Sequence, residues 1–487
     1  MTRIAVRHLG PPRLTAGLDG AARLDWDAHR RVHPEPRPLT AARLVALAEE
    51  GRLHGRGGAA FPFARKARAV LDAARRRGRP VVVVNGTEGE PGSAKDKVLL
   101  CRAPHLVLDG ATLAATALGA TEIVLGVTDE TAAESMERAL AERGLDGRAR
   151  VVRLPERFIT GESGALIRGI NGRRPVPPGR KVRASTKGVG GMPTLLSNAE
   201  TYAQLAVLAG LGPRRYGSVG TPGEPGTVLL TVTGSARFPA VVETPAGAPL
   251  GHLLDLCGTR AGEGVLVGGY HGAWIPGDAA VGTRLSREGL AAVGGTLGAG
   301  IVMPLGRGTC PLGECARVVR YLAAESAGQC GPCRLGLPDL AGALAALAEG
   351  RDAAAACETV RRSARMAERR GACAHPDGTA RFVLSALEVF AADAARHVDG
   401  GGCGRPVLGV LPADTDARLR LEVDWSRCDG HGLCADVLRG LVRMDEYGYP
   451  VIPGEPVPAR LEDDARRAVA RCPGLALRLV PRAQRGS

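Results

Sequence analysis

At 487 residues the chain exceeds one ordinary hydrophobic core, and its length predicts roughly three to four domains. Aromatic residues make up only 3%, against 45% hydrophobic overall, so alanine, leucine and valine carry the burial and any aromatic at a binding site is informative. The formal charge is +14, but arginine outnumbers lysine 59 to 5 and is scattered among alanine and glycine without interleaved aromatics, which speaks against a nucleic-acid surface.

The first residues, MTRIAVRHLGPPRL, lack the apolar stretch of a signal peptide. The run Leu106 to Val127 carries Asp109 and Glu122, and reads as a buried helix followed by a buried strand and not as a membrane span. The expected location is cytoplasmic, or peripheral to a membrane through a partner. There, twelve cysteines imply metal ligands or buried thiols before disulfides.

Helical and strand patterns alternate from 40 to 210. Phe63 to Arg77 is helical, Pro80 to Val84 is an apolar strand, Leu106 to Leu118 is a helix and Glu122 to Val127 a strand, together predicting a parallel, helix-covered α/β sheet. Its loops at strand ends are where ligands bind. A turn-rich joint, Gly217 to Gly226, precedes strands at Thr227 to Thr233 and Val241 to Thr244, a helix at Leu250 to Cys257 and a strand at Gly264 to Gly268, which predict a small mixed domain. Helices follow at 314–326, 336–349, 352–369 and 378–396, a bundle pattern broken by glycine and proline. After a loop from Gly400 to Asp416, the strand Leu419 to Val423 opens a tail domain.

Four loops carry candidate ligand groups. In GRGGAAFP, Gly55, Arg56, Gly57 and Gly58 let main-chain amides approach an anion, with Phe61 at the end of the loop and Lys66 a turn or two into the next helix. NGTEGEPGSAKD leaves the PVVVV strand directly, presenting Asn85, Glu88 and Glu90 to hydroxyl or carboxamide groups. Gly161, Glu162 and Ser163 in ITGESGALI, and Asn198 in PTLLSNAETYA, complete the set. Either of the first two loops alone reads as a solvated turn.

Two cysteine sets each show three near positions and one remote one, with one near position lacking cysteine. The first has Cys330, Cys333 and Cys373, with Ala327 in the gap; the second has Cys428, Cys434 and Cys472 before Pro473, with His431 in the gap. The spacing is that of iron-sulfur ligation. The first set suits a [3Fe-4S] cluster, a labile [4Fe-4S] cluster with water, thiol or His375 as fourth ligand, or an empty site. The second suits [3Fe-4S], or [4Fe-4S] with His431 as fourth ligand. Cys101, Cys257, Cys310, Cys315, Cys357 and Cys403 lack such spacing and read as core or free thiols.

Taken in order, GRGGAAFP, NGTEGEPGSAKD, GESGAL, PTLLSNAET, VLVGG and ESAGQCGPCR resemble the motifs of the NADH-binding flavoprotein subunit of respiratory complex I and its relatives in NAD-linked hydrogenases and formate dehydrogenases. Residues 418–480 resemble actinobacterial single-cluster ferredoxins. The resemblance implies an FMN and nucleotide domain at 1–222, a ubiquitin-like β-grasp domain of the soluble-ligand-binding type at 223–305, a four-helix iron-sulfur bundle at 306–400, a linker at 401–416 and an α+β ferredoxin domain at 417–487. It implies that Gly55, Gly57, Lys66, Asn85, Glu88, Gly161, Glu162 and Asn198 hold FMN, and that Phe61 and the catalytic Glu90 face the nucleotide. Electrons then pass from NAD(P)H through FMN and the clusters to a redox acceptor protein or membrane oxidoreductase subunit; the alternatives are reverse flow to NAD(P)+ and a non-catalytic electron-wire or assembly subunit.

Departures from the family pattern accompany the matches. Ser163 replaces a second acidic residue, and Ala69 and Gly179 stand where aromatics would hold adenine. Arg65, Arg68, Arg180 and Arg183 lie in the same segments, an arrangement that favours a 2′-phosphate and hence NADPH.

Overall fold

The computed structural model describes residues 4–179, 182–400, 402–413, 419–438, 441–452, 457 and 461–481, which divide into two compact units, 1–412 and 413–487. In chain order the first unit begins with β1 (Ala5–His8), α1 (Trp26–Val32), α2 (Ala41–Glu50) and α3 (Phe63–Arg77), then β2 (Val81–Gly86), α4 (Lys95–Arg102), α5 (Pro104–Leu118), β3 (Ile123–Val127), α6 (Glu130–Glu142) and β4 (Ala149–Arg153). After α7 (Ser163–Ile170), β5 (Thr194–Asn198) and α8 (Ala199–Tyr216) complete the first layer structure.

Strands β2 to β5 form one parallel sheet in the order β4-β3-β2-β5. The PVVVV run is continuous because both faces of β2 are covered. Val82 and Val84 join the core shared with α5 and α8, while Val81 and Val83 pack with Leu166, Ile167 and Ile170 of α7. Helix starts are set by local chemistry: Thr40 caps α2, Asp129 caps α6, and Pro104 occupies the first turn of α5. Among the described residues no single helix is long and apolar enough to cross a membrane; α4 and α5 pass that test only as a pair bent by 91°.

A second, six-stranded mixed sheet follows: β6 (Thr227–Val232), β7 (Ala240–Pro245), α9 (Leu250–Leu256), β8 (Gly264–Val267), β9 (Ala273–Pro276), α10 (Gly277–Gly282), α11 (Arg287–Ala291) and β10 (Ile301–Leu305). Its order is β1-β7-β6-β10-β8-β9, so β1 from the N-terminus closes one edge by pairing parallel with β7. The expected first domain, 1–222, thus contributes a strand to the second sheet, a partner no local pattern specifies. Buried Glu243 fixes the segment after that strand by accepting the backbone N–H groups of Arg13, Leu14 and Thr15.

The bundle comprises α12 (Pro311–Ala324), α13 (Leu337–Ala348), α14 (Ala353–Ala367), α15 (His375–Val389) and α16 (Ala391–Val398). The fourth expected helix is broken at Phe390, giving two. The second unit holds β11 (Leu419–Val423), α17 (Leu433–Val437), β12 (Arg443–Met444), β13 (Pro450–Val451), α18 (Glu462–Arg471) and β14 (Leu477–Pro481), with β11 antiparallel to β14 over a core of Leu421, Leu438, Val457, Ala465 and Leu477. Of the expected linker 401–416, residues 401 and 414–416 lie outside the described residues.

Candidate functional site

In the parallel sheet the chain runs from β2 to β3 to β4 in one direction and returns on the far side of β2 as β5. The sheet order therefore reverses between β2 and β5, and the crevice beyond their carboxyl ends is the place where such sheets bind ligands. Asn85 and Asn198 sit side by side there, paired in register. Asn85 donates to the Gly161 carbonyl at 3.1 Å and accepts from Thr87, drawing two loops together. Asn198 caps α8 at the Glu200 amide and donates to Asp96 at 2.6 Å.

The glycine loop lies against Asn198. A Cβ on Gly57 would stand 3.2 Å from Asn198 Cβ, and Gly58 has φ +108°, so backbone takes the space a side chain would fill. Gly55 closes the loop by donating to the Phe61 carbonyl, and the Phe61 ring is 48% exposed. Arg56 points elsewhere: its amide donates to Thr201, and its guanidinium reaches the Thr227 carbonyl and Glu200.

Lys66 of α3 is half-buried and donates to the Leu196 carbonyl at 2.7 Å and to Ser197. Burial lowers its pKa to about 8, and no carboxylate compensates for that burial. A desolvated ammonium without an acidic partner fits an anionic ligand such as a flavin phosphate. Nearby Lys95 is fully paired, with Asp96 at 2.9 Å and Glu200 at 3.0 Å, and belongs to the floor of the crevice.

The carboxylates divide into two roles. Buried Glu88 accepts from the Asp96 and Lys97 amides and from Ser93, capping α4; Glu162 accepts from the Gly164 and Ala165 amides, capping α7 behind Ser163. Both therefore fix loops around the crevice. Glu90 instead accepts from the Tyr270 amide at 2.6 Å, against Gly269, whose added Cβ would stand 2.4 Å from the carboxylate. Burial, with Glu88 adding repulsion, raises Glu90 to about 8, so its carboxyl holds a proton at pH 7.

Loops of this crevice are tied to the bundle. Tyr321 donates to the Gly89 carbonyl at 3.2 Å, and the Phe158 amide donates to Glu325 at 3.0 Å. The Phe158 ring lies 4.7 Å from His271 and 5.5 Å from His375. His375 Nε2 donates to the Leu322 carbonyl at 2.8 Å, so its Nδ1 accepts from His271 Nε2 at 3.1 Å. His375 is buried and His271 half-buried, and desolvation holds both below the ordinary histidine range. His375, an expected option for a fourth iron ligand, therefore has both ring nitrogens engaged elsewhere.

Cys330, Cys333 and Cys373 converge just beyond. Burial pushes the Cys330 thiol up, but amides of Ala372 and Cys333 donate to it and hold it below its ordinary value. Cys333 is raised by burial and by Cys330, with the Ser326 hydroxyl beside it; Cys373 is raised by burial and accepts from the His375 amide. Cys330 and Cys333 are hydrogen-bonded and Cys373 interacts with both electrostatically, and three thiols supplied with backbone donors fit a cluster. Ala327 adds no ligand atom.

In the second unit, Cys428, His431, Cys434 and Cys472 line one cavity. Gly430 and Gly432, at φ +71° and +73°, wrap the loop around it, and a Cβ on Gly474 would meet the Arg427 carbonyl at 2.3 Å. Cys472 accepts from the Ala476 amide at 3.3 Å, and His431 is exposed. The donor set fits an iron-sulfur cluster.

Phe158, His271, Lys95 and Asp96 were not among the sequence-predicted site residues. Phe158 is one of only six phenylalanines and immediately precedes ITGESG, a signal the composition supplied. His271 carried none, since only the fold brings it to His375.

Comparison with known proteins agrees with this arrangement. Residues 48–207 match the Nuo51 FMN-binding domain, 313–397 the NADH-ubiquinone oxidoreductase-F iron-sulfur binding region, and 421–479 a 4Fe-4S single cluster domain. The chain is 29% identical over 387 residues to the NADH-quinone oxidoreductase F 2 subunit of Rhizobium meliloti (strain 1021), covering 75% of this chain and 90% of that one. It is 25% identical over 419 residues to the NADP-reducing hydrogenase subunit HndC of Solidesulfovibrio fructosivorans, covering 82% and 83%. An NAD+-reducing [NiFe]-hydrogenase in the H2-reduced state superposes with a TM-score of 0.71 at 24% identity, over 93% of this chain and 74% of the other. The chain thus carries, in order, regions matching the Nuo51 FMN-binding domain, the NADH-ubiquinone oxidoreductase-F iron-sulfur binding region and a 4Fe-4S single cluster domain, and is similar over three quarters of its length to NADH-quinone oxidoreductase F subunits.

Proposed function

We propose that this chain oxidises a reduced nicotinamide nucleotide with FMN in the β2–β5 crevice, and delivers single electrons through its two iron-sulfur sites to a partner oxidoreductase subunit. A bound flavin supplies hydride acceptance paired with one-electron release, chemistry that no side chain provides. The chain's contribution is placement. Lys66, the Gly55–Gly58 backbone, Asn85, Gly161 and Asn198 would hold the flavin, while Glu88 and Glu162 keep the surrounding loops in position through the starts of α4 and α7. Glu90, protonated at pH 7, offers a hydrogen-bond donor toward the nucleotide, with Phe61 at the mouth. Cys330, Cys333 and Cys373 would hold the bundle cluster, and Cys428, Cys434 and Cys472, with His431 beside them, the tail cluster.

The observation that carries this reading is the join between the flavin loops and the cluster-bearing bundle, made by Tyr321 on Gly89 and Glu325 on Phe158. One set of loops would thus hold the flavin on one side while being tied to the cluster-bearing bundle on the other. Similar proteins are named as subunits of NADH-quinone oxidoreductase and of an NADP-reducing hydrogenase, which supports a partner subunit as the electron acceptor.

NADPH is favoured over NADH by Arg65 and Arg183, both exposed. Arg68 is already paired with Glu49 at 2.5 Å, and Arg180 lies outside the described residues. Anaerobic stopped-flow mixing of the purified chain tests both statements. The expected result is a yellow protein bleached by NADPH faster than by NADH at equal concentration. A colourless protein that gains no flavin on incubation with FMN would overturn the assignment, and faster bleaching by NADH would overturn the nucleotide choice alone.

A further inference from the structure

Three ligand-bearing side chains outside the flavin and cluster sites meet where the bundle ends. Cys310 caps the start of α12, His397 lies in the last turn of α16, and Cys403 stands on the segment that folds back over α12. One ligand atom from each lies within 4.8 Å of the other two. Cys310 Sγ is 3.5 Å from His397 Nε2, and Cys310 and His397 are 3% and 4% exposed. The other ring nitrogen, Nδ1, is buried without a hydrogen-bond partner among the described residues. Spacings of 87 and 6 residues hid this group from the sequence, where Cys310 and Cys403 read as core or free thiols.

We propose that Cys310, His397 and Cys403 bind a zinc ion that fastens the 402–411 segment to the bundle. Two thiols and an imidazole form the soft and borderline donor set zinc prefers, and zinc outcompetes ferrous iron for such donors. Binding converts both thiols to thiolates and releases two protons. The 2+ charge of the metal then cancels the two sulfur charges, leaving a neutral centre suited to burial. Metal-free, burial pushes the Cys310 thiol up to about 11, and Cys403 interacts with it directly. Three protein ligands leave one tetrahedral position for water.

The surroundings already hold the segment in place for this. The Cys310 amide donates to the Pro406 carbonyl at 2.8 Å, and buried Glu314 accepts the amides of Gly409, Val410 and Leu411. Arg405 pairs with Glu263 at 2.5 Å and with Asp393, and also donates to Cys403. The backbone from Cys403 to Leu411 is thereby anchored on both sides of the site, so the metal meets a preformed set of ligands.

Zinc chloride added to the full chain under reducing, anaerobic conditions, followed by desalting and metal analysis, tests the proposal. About one zinc per chain is expected, lost in the Cys310→Ala/Cys403→Ala double variant with iron and flavin content unchanged. Should the double variant fail to fold, zinc-edge X-ray absorption on the unmodified chain decides, with about two sulfur ligands near 2.3 Å and at least one nitrogen near 2.0–2.1 Å expected. Zinc binding equal in the chain and the folded double variant, zinc lost on Cys330→Ser instead, an absorption edge without sulfur, or a Cys310–Cys403 disulfide in the reduced protein would each overturn it.

Discussion

Lys66 and Glu90 are ionisable groups of the flavin crevice in which burial disfavours the charged form, and they titrate near the same pH. At pH 7 Lys66 is mostly charged and Glu90 mostly neutral, since each has a pKa of about 8. By pH 9 the lysine has lost its proton and the glutamate has gained a charge, so the crevice passes from net attractive to net repulsive for a phosphate. The dissociation constant of FMN for flavin-stripped protein is expected to rise about tenfold from pH 7 to pH 9 through Lys66 alone, and further through Glu90. Fluorescence titration of FMN at the two pH values measures this. Glu90→Gln should remove only the second contribution; an affinity independent of pH would show that neither group faces the phosphate. Lys95 has no comparable role, because Asp96 and Glu200 hold it charged in the floor.

Among the elements, the loop after β2 ties the crevice to the helical bundle. Gly89 lies between Glu88, which caps α4, and Glu90, which meets the Tyr270 amide, while its own carbonyl accepts from Tyr321. An added Cβ would stand 2.3 Å from the Arg157 carbonyl, a backbone atom unable to turn aside. Gly89→Ala is therefore expected to push the 87–95 loop off the 157–161 segment. Overpacking of this kind costs about 1–3 kcal/mol; if that cost falls on the bound state, flavin affinity weakens by roughly tenfold or more. Flavin and iron analysis of the same preparation checks it, with flavin reduced and iron retained as the expected pattern. The parallel sheet beneath should be unaffected, since its valines pack away from this loop.

For the whole molecule, the tail is a compact unit with its own core and its own cysteine cavity. Its cluster is thus separable from flavin chemistry. Cys472→Ser in the full chain is expected to lower iron content and remove one of two paramagnetic signals, while nucleotide-driven bleaching of the flavin stays within about twofold of the unmodified rate. Electron paramagnetic resonance and stopped-flow absorbance on one sample decide this. A flavin rate that collapsed with the tail cluster would show the two units to be coupled. Fusion itself keeps the tail at high effective concentration near the first unit, which speeds a second-order step without new contacts.

Much of this protein was legible in the sequence because its signals are local. PVVVV declared a strand covered on both faces, NGTEGEPGSAKD marked the end of that strand, the glycine loop marked the turn between α2 and α3, and cysteine spacing marked both candidate cluster sites. What the sequence determined alone was therefore the order of layers and the loops that carry the candidate ligand groups. The tertiary structure decided which of those residues face the crevice and which brace it: Glu88 and Glu162 cap helices, Arg56 turns to the second sheet, and His375 spends both nitrogens on Leu322 and His271. It also decided pairings between distant segments, such as β1 with β7, Phe158 with His271, and Cys310 with His397. The physical reason is that side-chain direction and burial follow from packing between segments far apart in the chain, whereas helix, strand and turn chemistry act within a few residues of one another.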